Sequence, residues 1–511
     1  MRKVSKGLLV ALLCVSSAQF TTYTEKNFLM QRPMSDDLAM EYSSWHKHFN
    51  KLDEHKKVDV KKVDVKKEEI KKDEKLGGCF QSVPFYAKST NKSDLADYFG
   101  YQDDENIYGY IFVGHELTDG ATSLSPLEVL WDPAAAVGSS SELNAKANFN
   151  PTREAFGLRL DYHQSFDHVL ENLFAKVSVP VVYVKTNMGI NYTGTITTQT
   201  LPGRADTVSL LDYLAGNVTS DYQTALTHAK INGARTKVGV ADIHLTLGYK
   251  LLKEENQHLT AALNLVVPTS NKPSGEYLFE PVYGNAGHLG LGATIDGVFD
   301  VWSKKEDEMS LDLVFAAKYK YLFKSREVRT LGIKDMSSRV IDSHGFYKLG
   351  GMVGDERVFP LANILTRDVE VTPGGQFEAL ANLSFAWQSF HFDFGYNLFA
   401  KEREVVDVNN WKDHLYGSLD IASSYNPATD SAGFLSGDAN NNTLITSEYL
   451  DTWAITTPAQ VTHKVHATVN YEFEDWKYPM MFGFGGSYEF LPGRNAGLEG
   501  YAIWAKAGVS F

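Results

Sequence analysis

The sequence predicts an all-β chain whose strands close into an antiparallel, membrane-spanning barrel of about 12 strands, with 14 as the alternative. Three observations carry this. Long segments alternate apolar and polar residues with a period of two, and the connections between them fall into a short set and a long set. The composition, with 29 phenylalanines, 26 tyrosines and 40 glycines in 511 residues, favours strands and turns over helices.

The N-terminus predicts export. Arg2, Lys3 and Lys6 precede a short apolar core from Leu8 to Val15, and Ser16-Ser17-Ala18 supplies small residues for cleavage after Ala18. Residues 1–18 therefore read as a signal peptide. Cys14 lies inside that core behind Leu13, which is too large for a lipoprotein signal, so the mature chain keeps a single thiol, Cys79, and no internal disulfide. After this segment no run of about 18 apolar residues occurs, so a crossing must be made by strands.

Residues 19–78 read as a charged tether. Their core is the degenerate repeat KKVDV-KKVDV-KKEEI-KKDEK, whose five-residue period fits neither a helix face nor a strand. A solvated chain and an electrostatic attachment to polymers or head groups are both compatible with it. Residues 79–141 mix aromatic patches such as Tyr108 to Phe112 with Gly, Asp and Ser, and read as a plug-like or periplasmic segment or as two further strands.

The barrel is expected over 142–511. Its twelve segments fall at about 142–150, 154–165, 172–186, 238–252, 258–269, 287–302, 309–325, 375–387, 390–402, 463–474, 480–491 and 500–511. In the last, Tyr501, Ile503, Ala505, Ala507, Val509 and Phe511 share one face, and Ala502, Trp504, Lys506, Gly508 and Ser510 the other. Most segments exceed the 5–6 residues usual for soluble strands and match the roughly 9–11 of a tilted crossing strand. Alternate links (166–171, 253–257, 303–308, 388–389 and 475–479) are all short, and the long ones (187–237, 270–286, 326–374 and 403–462) all fall on the opposite side. A barrel with tight turns on one side of a membrane and long loops on the other gives this segregation. Pro180 inside a strand requires a local irregularity.

If the apolar face meets lipid, the polar face lines a lumen. That places Arg159, Asp161, Lys176, Asp242, His244, Asp296, Asp300, Asp312, Lys318, Glu378, Asp393, His466, Glu472, Glu489 and Lys506 inside, with Lys146, Lys250, Lys320 and Glu474 beside them. The set is mixed, with a slight acidic bias, and must be met by water or by pairing across the lumen. Tyr162, Tyr183, Tyr249, Trp302, Tyr319, Tyr321, Trp387, Trp476, Tyr478 and Tyr488 sit near segment ends, where interfacial belts are expected.

Chemistry is thinly signalled. His163, His244, His391 and His466 lack a nucleophile context, and Asp296 and Asp300 with nearby His288 offer only a loose acid–histidine grouping. The stretch Gly114 to Gly120 lacks the second histidine of a zinc helix, and QDDEN at 102–106 lacks calcium-loop spacing. Both read as turns; no metal, no cofactor and no enzyme activity is expected. The net charge of −14, from 49 basic and 63 acidic residues, argues against nucleic acid as a partner.

The terminal stretch YAIWAKAGVSF, with Phe511 last and Tyr501 and Val509 in phase, resembles the closing strand of Gram-negative outer-membrane β-barrel proteins. The long loops and N-terminal extension look like those of channel-forming barrels of the porin-like or fatty-acid-transporter-like class. The resemblance implies an outer-membrane location and lipid partners. It also implies recognition of Tyr501, Val509 and Phe511 by the barrel-assembly machinery, and passage of small polar or amphipathic solutes. A non-conducting adhesion barrel with ligand-binding loops, or a lipid-acting barrel enzyme, are the alternatives.

Overall fold

A computed structural model describes residues 26–42 except 34, 77–100, the strand segments 105–111, 129–131 and 141–148, and most of the chain from 149 to 511. The signal peptide, the KKVDV repeat, the Gly114–Gly120 stretch, the acidic part of QDDEN, Lys146's side chain and Glu474 lie outside the described residues.

One large antiparallel sheet closes on itself. Its segments are β1 (Gly78–Ser89), β2 (Thr152–Ser165), β3 (Leu173–Asn187), β4 (Arg235–Val240), β5 (Ile243–Lys253), β6 (His258–Val267), β7 (Gly290–Lys304), β8 (Met309–Leu322), β9 (Gly374–Trp387), β10 (Phe390–Lys401), β11 (Gln460–Phe473), β12 (Met480–Phe490) and β13 (Gly500–Ser510). β4 and β5 occupy one barrel position, pairing with the upper and lower halves of β3 in turn. The barrel therefore has twelve strand positions, closed where β1 pairs β13 on one side and β2 on the other. Closure pairs both sides of every strand position except at β4, whose only ladder among the described residues is the one to β3.

The period-two alternation is realised as burial. In β13 the exposed Tyr501 and Ile503 alternate with buried Ala502 and Trp504. Connections 166–172, 254–257, 305–308 and 388–389 gather at one end with the chain terminus, where Phe511 and Gly78 exchange two backbone hydrogen bonds of 3.0 and 2.9 Å. Three of these turns place non-glycine residues at positive φ: Asn172 (70°), Glu308 (52°) and Gln388 (53°). Such left-handed residues suit the right-handed twist of tight hairpins. The long loops lie at the other end and share an apolar core that includes Phe99, Tyr213, Phe279, Phe346, Tyr347 and Ile455.

Two sequence expectations are corrected. The first barrel strand is β1, which falls across the boundary drawn between the tether and the 79–141 segment, while Ser141–Asn148 pairs with Glu105–Ile111 and Asn191–Tyr192 in a separate four-stranded sheet. β1 carries a broken polar-in, apolar-out signal: Gln81 and Ser89 point inward and Phe80 and Tyr86 outward, but it also buries Val83, Phe85 and Ala87 inward and turns Ser82, Pro84 and Lys88 outward. Pro84 sits where the β1–β13 ladder skips from Ser82 to Phe85, so its missing N–H breaks no rung there. Residues 142–150 alternate, but over a length that serves a small sheet as well as a barrel. Pro180 is absorbed by the break between β4 and β5: Ala241 N donates to its carbonyl at 2.9 Å, bridging the gap.

Candidate functional site

The inward faces of the strands form a polar lumen. Arg159, Asp161, Asp296, Asp312, Lys318, Glu378, Asp393, His466, Glu472, Glu489 and Lys506 are all buried there. Lys176, His244 and Asp300 are half-buried. Lys320, Lys401 and Lys464 join them. Asp242 departs from the set. It sits in the β4–β5 break, where it accepts from Asn285 N (2.5 Å), Asn285 Nδ2 (2.7 Å) and Ser270 N (3.3 Å), so it staples the 268–289 loop. Asp296 and His288 are not brought together either. His288 lies at the long-loop end, with Nε2 2.6 Å from Glu327 and Nδ1 2.8 Å from the Phe323 carbonyl.

The lumen is not empty. Residues 26–42, expected to belong to a solvated tether, enter at the long-loop end and run inward as a plug. At its top the plug is tied to the loops: Lys26 N donates to Tyr98 O (2.8 Å), Asn27 N to Ala454 O (2.7 Å) and Met30 N to Thr457 Oγ1 (3.0 Å). Phe28 lies under the guanidinium of Arg329, 3.7 Å from its ring centre. Arg329 is itself fixed by Glu327 (2.8 Å) and Glu404 (2.7 Å).

Deeper in, the contacts are ionic. Arg32 pairs with Glu378, donates to Asn397 Oδ1 at 3.0 Å and lies 3.7 Å from Glu489. Asp36 receives Lys318 on one oxygen and Lys320 on the other, the second at 2.5 Å. Asp37 receives Lys464 at 2.6 Å, and its other oxygen caps Ala39 N at 2.9 Å. Glu41 is held by Lys176 on one oxygen and by Arg159 at 3.0 Å on the other. The short helix α1 (Leu38–Tyr42) completes the plug by packing Leu38, Ala39 and Tyr42 on Ala316 and Leu380. Met40 packs on the inward apolar patch of Val83, Phe85 and Trp504, which explains why β1 is apolar inside. The plug lies over a cavity of about 80 Å³, several times the minimum for one water.

Outside, the barrel is apolar. Leu263, Phe394 and Phe484 are 64%, 65% and 69% exposed at mid-strand, whereas Asn397 on the inner face is wholly buried. All ten aromatic residues expected at interfaces are exposed. Tyr162, Tyr249, Trp302, Trp387, Trp476 and Tyr478 cluster toward the short-turn end, and Tyr183, Tyr319, Tyr321 and Tyr488 toward the long-loop end. An apolar band between two aromatic girdles on a closed sheet is the surface that a bilayer solvates. This is a membrane-spanning β-barrel.

No family model matches the sequence, and no curated relative does. Among solved structures, the barrel is similar to the NanC porin at 9% identity, covering 70% of this chain and 93% of that one, with a TM-score of 0.23. It is similar to a FadL homologue of Pseudomonas aeruginosa at 9% identity, over 85% and 89% of the two chains, with a TM-score of 0.26. The toluene transporter TodX of Pseudomonas putida matches at 11% identity over 85% and 88%, with a TM-score of 0.24. With TM-scores this low, the assignment stands on the barrel's own geometry.

The remaining groups of the barrel divide by depth. Below the plug, Asn382, Ser384 and both ring nitrogens of His466 are buried without a hydrogen-bond partner among the described residues. Buried polar groups of this kind are normally met by water. His391 pairs with Glu472 at 3.2 Å, and His163 stacks on Phe174. At the barrel seam the Phe511 ring stacks on Tyr162 with centres 6.4 Å apart. Tyr501 and Phe511 face outward, and Cys79 is free and buried. The plug residues Arg32, Asp36, Asp37 and Glu41 are the lumen-contacting side chains that strand periodicity could not mark. Their signal was compositional: a short acidic run before the repeat, matching a lumen rich in lysine.

Proposed function

We propose that the protein is an outer-membrane channel for small polar or amphipathic solutes, acting without a cofactor and without catalysis, and that residues 26–42 close it at rest. The observation that carries this reading is the plug itself. It is a separate segment, not a strand or hairpin of the sheet, and it is seated in a polar lumen through paired charges. Removing it from the lumen breaks no strand pairing. Below it, unpartnered Asn382, Ser384 and His466 support a hydrated path toward the short-turn end. The apolar inner patch of Val83, Phe85 and Trp504 beside charged walls supports solutes with both polar and apolar parts. Recognition of the β13 terminus by assembly machinery belongs to the same proposal.

The test is single-channel recording of the full chain in a planar bilayer with the plug locked or free. Leu38→Cys with Leu380→Cys places two thiols where the side chains now pack. The unlocked protein should show ion-conducting steps, the oxidised lock should abolish them, and reductant should restore them. Steps that persist through the lock would remove the plug as the gate. A folded, inserted barrel that never conducts would favour the adhesive alternative.

A further inference from the structure

We infer that the lumen wall carrying Arg159, Lys176, Lys318, Lys320 and Lys464 is a carboxylate-binding ladder, and that the solute is a small organic anion displacing the plug's own acids. The inference rests on the channel reading and names its solute class.

The geometry is that of bound carboxylates. Asp36 takes one ammonium on each oxygen, Lys318 on Oδ1 and Lys320 on Oδ2. Glu41 takes Lys176 on Oε1 and Arg159 on Oε2. Asp37 takes Lys464 on one oxygen. Charge-assisted bonds with one cation per oxygen are what a free acid would make on the same wall. Among the described residues, Lys318, Lys320 and Lys176 have no other acid within salt-bridge distance, so withdrawal of the plug leaves three ammonium groups without a direct ion-pair partner. Such groups are costly until water or an anion meets them.

Withdrawal of Arg32 has the opposite sign but a smaller effect. Arg32 leaves behind Glu378 and Glu489, but Glu489 keeps Lys464 at 3.0 Å and Thr462 at 2.5 Å, and Glu378 keeps Asn397 Nδ2 at 2.8 Å. Arg159 likewise keeps Asp161 at 2.9 Å. At the contacts the plug gives up, the remainder is therefore cationic, three ammonium groups against Glu378. The cavity beside the plug shows this locally: its barrel-wall lining has four fixed cations, Arg159, Lys176, Lys250 and Lys318, against one carboxylate, Asp296. A wall with an excess of one sign in a narrow passage raises the local concentration of counter-ions about tenfold or more.

The test uses the full chain carrying Asp36→Asn, Asp37→Asn and Glu41→Gln, with heat-modifiable migration as the check of folding. Succinate and its uncharged diamide are titrated calorimetrically into the refolded protein in detergent. Reversal potentials are then read in a potassium chloride gradient across a bilayer. Succinate should bind the neutralised variant about tenfold or more tighter than it binds the unmodified chain, and the diamide should not. Adding Lys318→Gln and Lys320→Gln should abolish the gain, and the current should be anion-selective. Equal binding of succinate and diamide, or cation-selective current, would overturn the inference while leaving a channel. Tight succinate binding by a barrel that never conducts would uphold the ladder and sink the channel. If the triple variant does not fold, Asp36→Asn empties one rung and is read in the same way.

Discussion

Arg32 is the contact whose removal should most directly free the plug. Its guanidinium faces Glu378, Asp37 and Glu489, bonds Asn397, and lies 4.9 Å from the centre of the Phe399 ring. Arg32→Ala would leave three buried carboxylates, of which Asp37 and Glu489 keep Lys464 and Glu378 keeps no salt-bridge partner among the described residues. Removing one partner of a buried ion pair costs about 3–5 kcal/mol, because the other charge stays desolvated. The strand ladder uses no atom of Arg32, so that cost falls on docking of residues 26–42, not on the barrel. At roughly 1.4 kcal/mol per tenfold, the docking constant should fall by about two to three orders of magnitude. Ala39, a fully buried residue of the plug itself, supplies the reporter: maleimide labelling of Ala39→Cys should accelerate by that factor in the Arg32→Ala background. Arg32→Lys should lie between, since an ammonium keeps the charge but not the fork. An unchanged labelling rate in a folded barrel would refute the latch. Loss of folding would show that Arg32 is a structural member of the barrel.

Three other outcomes follow from separate parts of the structure. Leu263→Arg, on the outward face at mid-strand, should cost about 2–4 kcal/mol in urea-driven unfolding from vesicles; a cost near zero would move that face out of the hydrocarbon. Gly157→Val would place a Cβ 2.4 Å from the Phe85 ring and 3.0 Å from Val181 O, and should lower stability by about 1–3 kcal/mol; an unchanged unfolding midpoint would deny the β1–β2 register. Burial pushes the Lys26 ammonium down to about 7 from 10.5, against the attraction of Asp451 and Glu404 and with the repulsion of Arg403. The released chain then binds this proton more tightly than the docked one, so docking should strengthen as pH rises from about 7 toward 10. The mobile fraction of a spin label at Gln31→Cys should therefore fall between about pH 6 and pH 9, and the trend should vanish in Lys26→Met; a flat profile would remove Lys26 from the docking equilibrium.

Eleven of the twelve barrel positions were legible because the bilayer imposes a simple rule on them: outward residues such as Phe392 and Ile503 must be apolar, and inward ones such as Asp393 and Lys506 need not be. β1 escaped because its inner face meets Met40 instead of water, which inverts the rule at Val83 and Phe85. The lumen residues could be assigned by parity, but their partners could not. Asp36 and Lys318 are 282 positions apart, and nothing in either local sequence points to the other. The plug's identity was hidden for the same reason, since a polar segment bound by ion pairs has the composition of a solvated one. Asp242 misled by position: it keeps strand parity but falls in the break, where backbone N–H groups claim its carboxylate.

Binding a plug through charges, instead of through an apolar core, has a thermodynamic consequence. A buried ion pair adds little net stability against its separated, hydrated partners, yet it is strict about geometry and severe when one half is removed. A plug seated in this way is docked in one register but remains displaceable by anything that returns equivalent charges to the wall. An uncharged solute cannot do this, because it would leave Lys176, Lys318 and Lys320 unpaired in a narrow lumen. A ligand shifts an equilibrium only by its differential affinity for the two states, and here the open state is the one that offers the free cations. Selection and opening then draw on the same contacts: the solute that best replaces Asp36, Asp37 and Glu41 is the one that best holds the passage open.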